Sequence, residues 1–438
     1  MSFPSYPSYK DSGVKWLGEV PEQWSTSSVR WLARRYSGGT PDKTILSYWE
    51  DGTVPWLNSG AVNDKIIKEP STYISLEAFE NSSAKWIPAG SLVMALAGQG
   101  RTKGMVAQLA IPTTCNQSMA AIIPGPEINP KFLFWWLESN YQNIRNMAGG
   151  DLRDGLNLEL LGDIRCPLPT HSEQNIIATF LDSETERIDA LVAEQLRLME
   201  LLKEKRQAVI SHAVTKGLNP NVPLKSTGVE WLGDVPEHWE LRATKRLFRL
   251  IVEPAPDDND YELLSIYTEI GVRPRKDLEA KGNKATTTDG YWMVQKGDLI
   301  VNKLLAWMGA IGISEYDGVT SPAYDILRQR VPLEPQFYDF LFRCGICFSE
   351  FRRYSRGIMD MRLRLYFDEL GQLVMPYPPK EEQRVIVDFL TGELARFDAL
   401  SDEAQRAVDL LQERRSALIS AAVTGQIDVR PLSGRETA

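Results

Sequence analysis

A segment near the start of the chain, Ser12-Gly13-Val14-Lys15-Trp16-Leu17-Gly18-Glu19-Val20-Pro21-Glu22-Gln23-Trp24, returns 215 residues later as Thr227-Gly228-Val229-Glu230-Trp231-Leu232-Gly233-Asp234-Val235-Pro236-Glu237-His238-Trp239. A second segment, Pro167-Leu168-Pro169 followed by Glu173-Gln174-Asn175-Ile176-Ile177-Ala178-Thr179-Phe180-Leu181, returns 209 residues later as Pro376-Tyr377-Pro378 followed by Glu382-Gln383-Arg384-Val385-Ile386-Val387-Asp388-Phe389-Leu390. Between the matching blocks lie two long stretches with only a faint likeness. A repeat of this period constrains the fold more than any local motif. The chain must build one scaffold twice and mount a different insert on each copy. With 438 residues, either half has enough chain to bury its own core.

The longest apolar runs, such as Phe132-Leu133-Phe134-Trp135-Trp136-Leu137, are far too short to span a bilayer. The opening residues are polar and proline-rich, unlike a secretory leader. Four unevenly spaced cysteines argue against a disulfide framework and for a cytoplasmic setting. The net charge is −9, but it is not spread evenly. Ser25 to Arg165 carries 13 Lys/Arg against 13 Asp/Glu, and Leu241 to Val374 carries 19 of each. The inserts are neutral, and the acidic excess lies in the repeated scaffold. Local patches rather than net charge bring a protein to phosphates. The acidity therefore predicts weak, partner-dependent nucleic-acid binding rather than tight autonomous binding.

Each insert reads as short strands broken by Gly and Pro, closed by a helix. In the first, strands are expected within Gly52–Leu57, Gly90–Ala95 and Met119–Pro124, with a helix from Pro130 to Asn146. In the second they fall within Glu262–Ile266 and Gly297–Val301, with a helix from Pro335 to about Phe351. Gly90 and Gly297, and Pro130 and Pro335, occupy equivalent places. The scaffold helices carry a coiled-coil pattern. Ile177, Leu181, Ile188, Leu191, Leu198, Leu202 and Val209 follow three- and four-residue spacing. Their counterparts 209 residues on are Ile386, Leu390, Phe397, Leu400, Ala407, Leu411 and Leu418. Ser172 is placed to cap the first helix. Each helix should be roughly 60 Å long at ~1.5 Å per residue. The economical way to bury both apolar faces is antiparallel packing, with an insert at either end and a pseudo-twofold axis between them.

Gly98-Gln99-Gly100-Arg101-Thr102-Lys103-Gly104 lacks the spacing of a P-loop, and the run from Met105 to Ile111 after it reads as strand rather than helix. It is either a plain hairpin or a glycine-rich turn that brings cations and backbone to DNA. Cys344-Gly345-Ile346-Cys347 has zinc or redox spacing, but no second pair or nearby histidine completes a site, so buried structural cysteines are expected. His171, His212 and His238 are scattered through scaffold segments. Methyltransferase, helicase and nuclease signatures are missing from the sequence. Basic and aromatic residues do interleave in insert loops: Gly38 to Lys43, Arg273 to Lys276, Lys303 with Trp307, Arg352 to Arg356, and Arg362 with Arg364. Their concentration in the inserts points to nucleic acid.

These blocks resemble the specificity subunits of type I restriction–modification systems over nearly the whole chain. The resemblance rests on the Ser-Gly-Val-Lys-Trp-Leu-Gly arm and on Gly39-Thr40-Pro41 with Tyr48-Trp49, Gly52 and Pro55-Trp56. It rests also on the Pro-Leu-Pro and Glu-Gln helix opening, and on Asn302 to Gly312 with Tyr316 to Tyr324 beyond it. It implies an α+β protein: two similar target-recognition domains with β-rich cores, joined by two long helices packed as an antiparallel coiled coil. The expected divisions are residues 1–165, arm and first recognition domain; 166–218, first spacer helix; 219–374, linker arm and second recognition domain; 375–426, second spacer helix; and 427–438, a tail. The resemblance further implies double-stranded DNA as ligand, two methyltransferase subunits as partners, and optionally two restriction subunits. S-adenosylmethionine would be the partner's cofactor, with none in this chain. Candidate DNA-contacting residues are Thr40, Lys43, Gln99, Arg101, Lys103 and Arg153 in the first insert. In the second they are Arg273, Arg275, Lys303, Trp307, Tyr324, Arg362 and Arg364. Val192, Met199, Leu410 and Ile419 are expected on a partner-binding face. The competing reading from another class is an enzyme with fused methyltransferase or nuclease activity.

Overall fold

The computed structural model describes residues 3–98, 101–147, 155–277, 288–358 and 362–432. Two compact units emerge: Met1–Gln195 with Arg406–Ala438, and Leu196–Gln405. Each long helix therefore contributes one half to each unit.

In the first unit a hairpin, Tyr9–Asp11 with Glu19–Pro21, forms the arm. The chain then enters the insert through Ser25–Ser28 and leaves through Arg165–Leu168, and these two strands pair antiparallel, Arg165 opposite Ser28 and Leu168 opposite Ser25. Between them lies a five-stranded sheet in the order Ala33–Ser37, Met119–Pro124, Leu92–Ala95, Val106–Leu109, Ile66–Ile67. Its side chains alternate by face, as the pleat requires. Leu92, Met94, Ala120 and Ile122 join the core beneath the helices. Val93, Ala95, Met119 and Ala121 pack on the opposite face with Leu57, Ile67 and Ile87. A sheet covered on both sides explains strands that are apolar throughout rather than alternating.

The second unit repeats this plan. Leu224–Ser226 pairs with Asp234–Pro236, and Glu240–Ala243 pairs with Val374–Tyr377. Its main sheet runs Phe248–Ile251, Tyr324–Gln329, Leu299–Asn302, Ile311–Ile313. Leu299, Val301, Ile311 and Leu327 face the helix core, while Ile300, Ala310 and Ile326 face a smaller cluster with Leu264 and Val294. The expected strands are all present. The two expected closing helices are each broken. Asn129 caps Pro130–Ser139 by accepting from the Lys131 and Phe132 amides at 2.8 and 3.0 Å. Asn140 leaves helical geometry, and Tyr141–Asn146 restarts. Pro335–Phe342 and Gly345–Tyr354 are separated at Arg343-Cys344 in the same way.

The long helices are His171–Lys216 and Lys380–Val423. Thr170, not Ser172, stands at the first N-terminus: its hydroxyl accepts from the Glu173 amide at 3.4 Å and its carbonyl from the Gln174 amide at 2.9 Å. In the first unit Leu181 and Ile188 share a core with Leu418, Ile419 and Ala422. In the second, Ile210, Ala213 and Val214 share one with Ile386, Leu390, Leu394 and Phe397. In both units the beginning of one helix packs on the end of the other, so the pair is antiparallel.

The seam differs from the expectation in its middle. Leu191 and Leu400 are 40% and 42% exposed, and Leu198 is exposed too. Burial instead follows Leu181, Thr185, Ile188, Val192, Gln195, Met199 and Leu202, and in the second helix Leu390, Leu394, Phe397, Ser401, Ala404, Val408 and Leu411. This is a strict alternation of four and three residues, kept under the 209-residue offset. Leucine identity misled the assignment because the true seam includes Thr185, Gln195 and Ser401. Thr185 is tolerated there because its hydroxyl donates to the Leu181 carbonyl at 2.6 Å.

The recurrent Glu-Gln pair explains the helix starts. Gln174 is fully buried. Its Oε1 accepts from the Asn129 amide at 2.7 Å, and its Nε2 donates to the Glu127 and Pro169 carbonyls, both at 3.0 Å. Gln383 accepts from the Glu334 amide at 2.8 Å and donates to the Pro378 carbonyl at 2.7 Å. One amide side chain thus pins each long helix to the closing helix of its insert. The neighbouring glutamates hold the arms: Glu173 accepts from the Tyr6 hydroxyl at 2.6 Å, and Glu382 accepts from the Trp239 indole at 3.0 Å and contacts His238 at 2.7 Å. The C-terminal segment joins the same arm in the first unit. Asp428 N–H donates to the Pro4 carbonyl at 2.7 Å, and the Arg430 guanidinium lies 4.7 Å from the Tyr6 ring centre.

Candidate nucleic-acid interface

The strands that flank the glycine-rich segment of the first insert, Leu92–Ala95 and Val106–Leu109, pair antiparallel. The element after it is a strand and not a helix, which removes the phosphate-loop reading. Gly104 takes φ +88° and donates to the Ala95 carbonyl at 2.8 Å, closing the turn. Arg101 is exposed, and its carbonyl accepts from the Tyr141 hydroxyl at 2.6 Å. Arg145 donates to that same hydroxyl at 3.1 Å, so the turn is braced by the Tyr141–Asn146 helix. Lys103, expected at the DNA, is buried. It is only 5% exposed. Gln99 and Arg153 lie outside the described residues.

Thr40 and Lys43 sit on a loop whose glycines are packing requirements. A Cβ at Gly38 would lie 1.9 Å from the Cys115 carbonyl oxygen, and one at Gly39 would lie 2.4 Å from the Ala84 nitrogen. The Gly39 carbonyl accepts from the Trp56 indole at 2.9 Å, which ties the Gly-Thr-Pro run to the Pro-Trp run. Thr40 is half-buried and hydrogen-bonds Gln117. Lys43 is exposed beside Asp42. Bonds from the Thr44 amide and hydroxyl hold the Asp42 carboxyl below its ordinary pKa.

The second insert separates its candidates into two groups. Arg273 and Arg275 are half-buried on the hairpin Leu264–Tyr267 with Gly271–Pro274 and the turn after it. Lys303, Trp307, Tyr324 and Arg364 come together elsewhere. Tyr324 stands opposite Asn302 in the sheet, and the Leu365 amide donates to the Lys303 carbonyl at 2.9 Å. Arg364 and Arg356 exchange backbone hydrogen bonds at 2.9 Å. Lys303 differs from a free surface cation: its ammonium donates to Asp325 at 3.1 Å and to the Pro322 carbonyl at 3.2 Å. Its charge is largely balanced within the insert. Trp307 donates to the Leu304 carbonyl at 3.1 Å, and the Arg352 guanidinium lies 5.3 Å from its ring centre. Arg352 stands outside the set of candidate contacts; it lies in the Arg352-Arg353 run, but a pairing over that separation has no local signal. Arg362 is exposed.

Cys344 and Cys347 are buried and free, and burial pushes both thiols up. The Cys347 thiol donates to the Leu341 carbonyl at 3.1 Å, a core contact. Among the described residues no cluster of His, Cys, Asp and Glu could hold a metal, and no helix is long and apolar enough to cross a membrane.

The expected partner face also needs correction. Ile419 is 3% exposed and belongs to the first unit's core, with Val192 packed half-buried against it. The helix pair turns both inward. Leu410 is 65% exposed and Met199 half-buried.

A family model described as the type I restriction modification DNA specificity domain matches residues 21–198. The chain is 28% identical over 204 residues to the EcoR124I/EcoR124II specificity subunit of Escherichia coli, covering 45% of this chain and 47% of that one. It thus spans about half the length of that relative. It is 23% identical over 431 residues to the EcoKI specificity subunit of Escherichia coli strain K12, covering 94% of this chain and 90% of that one. A solved structure described as concerning complex assembly and conformational transition of the type I R-M system contains a similar chain. That similarity has a TM-score of 0.70 at 16% identity and covers 92% of this chain and 98% of that one, a likeness of fold.

Proposed function

We propose that this chain, a type I restriction–modification specificity subunit, reads a split double-stranded DNA target, one half with each insert. The observation that carries the reading is a duplicated mount with unlike cargo. Gln174 and Gln383 hold the two inserts in the same way. The loops they present differ: Arg101 on a glycine turn in one, Arg362, Arg364 and Trp307 in the other. The long helices would set how far apart the half-sites are read. Exposed Lys43, Arg101 and Arg362 are the better placed of the candidate contacts. Lys303 and Lys103 are better suited to holding the loops in shape.

In this reading the chain is non-catalytic. Adenine methylation with S-adenosylmethionine belongs to two methyltransferase partners, and cleavage to optional restriction subunits. Leu191, Leu198 and Leu410, exposed on the long helices, offer apolar surface for such partners.

The test is an insert exchange. Ser25–Arg165 is replaced by the corresponding segment of another specificity subunit, and the chain is expressed with its methyltransferase. Methylome mapping should then show one half of the target changed and the other retained. A change in both halves, or in neither, would refute independent reading.

A further inference from the structure

The helix Pro130–Ser139 of the first insert turns one polar stripe toward the long helices. Lys131, Trp135 and Glu138 fall at i, i+4 and i+7 along it. Lys131 pairs with Asp182, and the Trp135 indole donates to the same carboxylate at 2.9 Å. One heptad further along the first long helix, Asp189 accepts from Arg415 Nε of the second long helix at 2.9 Å. Arg415 reaches Glu138 at 3.4 Å through Nη1, and its guanidinium lies 5.8 Å from the Trp135 ring centre. The other oxygen of Asp189 accepts from Lys65 at 3.1 Å, on the turn before the edge strand Ile66–Ile67. Two separate elements of the insert and both long helices therefore meet at one guanidinium–carboxylate centre.

We infer that Arg415 is a positioning residue that fixes the orientation of the first recognition insert on the helix pair, and through it the spacing at which the first half-site is read. The inference rests on the proposed reading of a split target. Its geometry is demanding. The Arg415 side chain is only 14% exposed, and its planar fork engages two carboxylates while its guanidinium carbon lies over the Trp135 ring. Without it, Glu138 would lose this partner, and Asp189 would keep Lys65 but lose its link to the second long helix. The second insert is built differently. Gln336, Phe340 and Arg343 stand where Lys131, Trp135 and Glu138 stand in the first. Arg343 pairs with Asp339 of its own helix at 3.5 Å, and Gln336 donates to Glu315 within the insert. Arg206, the counterpart of Arg415, contacts Asp398 at 3.6 Å, a pair between long helices that includes no insert residue. The repeat thus supplies its own control.

The experiment expresses Arg415→Leu, Arg415→Lys and Arg206→Leu chains with the methyltransferase partner in cells lacking other adenine methylation. Methylome mapping is combined with a plasmid library in which the two wild-type half-sites are separated by the native spacer or by one or two base pairs more or fewer. Arg415→Leu should leave both half-site sequences unchanged while methylation of off-length spacers rises relative to the native length by roughly tenfold, within the range of a networked interaction. Arg415→Lys should fall between it and wild type, and Arg206→Leu should keep the native preference. Strict spacing in Arg415→Leu, or equal broadening in Arg206→Leu, overturns the inference. Should Arg415→Leu fail to fold, Glu138→Gln and Lys65→Met remove single partners at the edge of the centre. Broadening in either supports the inference, and unchanged spacing in both overturns it. A wild-type complex that marks no split target would instead defeat the functional reading itself.

Discussion

Arg206 and Asp398 approach to 3.6 Å in the second unit, and 209 residues separate each from a member of the Asp189–Arg415 pair of the first. The duplication has kept an arginine–aspartate bridge between the long helices in both copies, in settings of different depth. Arg206 and Asp398 are 35% and 65% exposed, and water screens them. Arg415 is mostly buried, so losing Asp189 would leave a guanidinium with one carboxylate fewer. Asp398→Asn should cost at most about 0.5 kcal/mol. Asp189→Asn should cost about 1–2 kcal/mol, a buried-pair loss discounted for the half-exposed aspartate. Denaturant midpoints of the two variants measure the difference, and equal shifts would contradict it.

Gln174 and Gln383 should be the least replaceable polar residues of the scaffold. Each is fully buried and satisfies a backbone amide at the start of a closing helix. Leucine fits the volume but orphans that amide and one or two carbonyls, at about 2–4 kcal/mol per site. Urea unfolding of Gln174→Leu and Gln383→Leu reads this directly. A loss near zero at either site would mean water replaces the side chain.

The corrected seam makes a contrast. Leu191→Asp and Leu400→Asp alter exposed positions and should each shift stability by less than about 1 kcal/mol. Leu181→Asp and Leu390→Asp place a carboxylate where both side chains are fully buried, and should cost several kcal/mol, on the order of 4. Thermal melts of the four variants distinguish this pattern from one in which Leu191 and Leu400 are the buried set.

Acid should loosen the contact between the C-terminal segment and the arm. The hydrogen bond from Arg430 holds the Asp428 carboxyl below its ordinary pKa. A depressed carboxylate contributes stability that is complete above the unfolded value and is lost as pH falls through the folded one. Exchange protection of the Asp428 amide, which donates to Pro4, should therefore stay level above about pH 4, after correction for intrinsic exchange, and fall below it. In Asp428→Asn the protection should be lower throughout and lack that step. A step that persists in the variant would assign it to another group.

Much of the fold was legible because the repeat fixes equivalences that no single motif could. The paired long helices derive from the 209-residue offset, and the strands from short apolar runs broken by Gly and Pro. What escaped the sequence was contact over distance. Apolar identity favoured Leu191 over Val192, because periodicity does not separate adjacent positions when both neighbours are aliphatic. Lys103 and Lys303 read as DNA contacts from their loops, yet one is buried and the other meets Asp325, 22 residues away. The Gly38-Gly39 pair read as part of a nucleic-acid loop, whereas its glycines make room for Cys115 and Ala84.

The strands Ser25–Ser28 and Arg165–Leu168 pair with each other, as do Glu240–Ala243 and Val374–Tyr377. Each insert consequently begins and ends at one zipped neck, and in the second the Pro376 carbonyl also accepts from Tyr338 of the insert at 3.1 Å while Tyr377 donates to the Pro332 carbonyl at 3.0 Å. The entropy of closing so long a loop is met at the neck and grows only logarithmically with what is enclosed. A recombination event with both crossovers inside the neck strands would deliver a whole insert, provided that the incoming segment meets the mount's Gln174, Asp182 and Arg415 as Asn129, Lys131 and Glu138 do here. Genetic novelty in such a chain can then arrive as an exchanged cassette, with no need for a long succession of point changes each tolerable to the core.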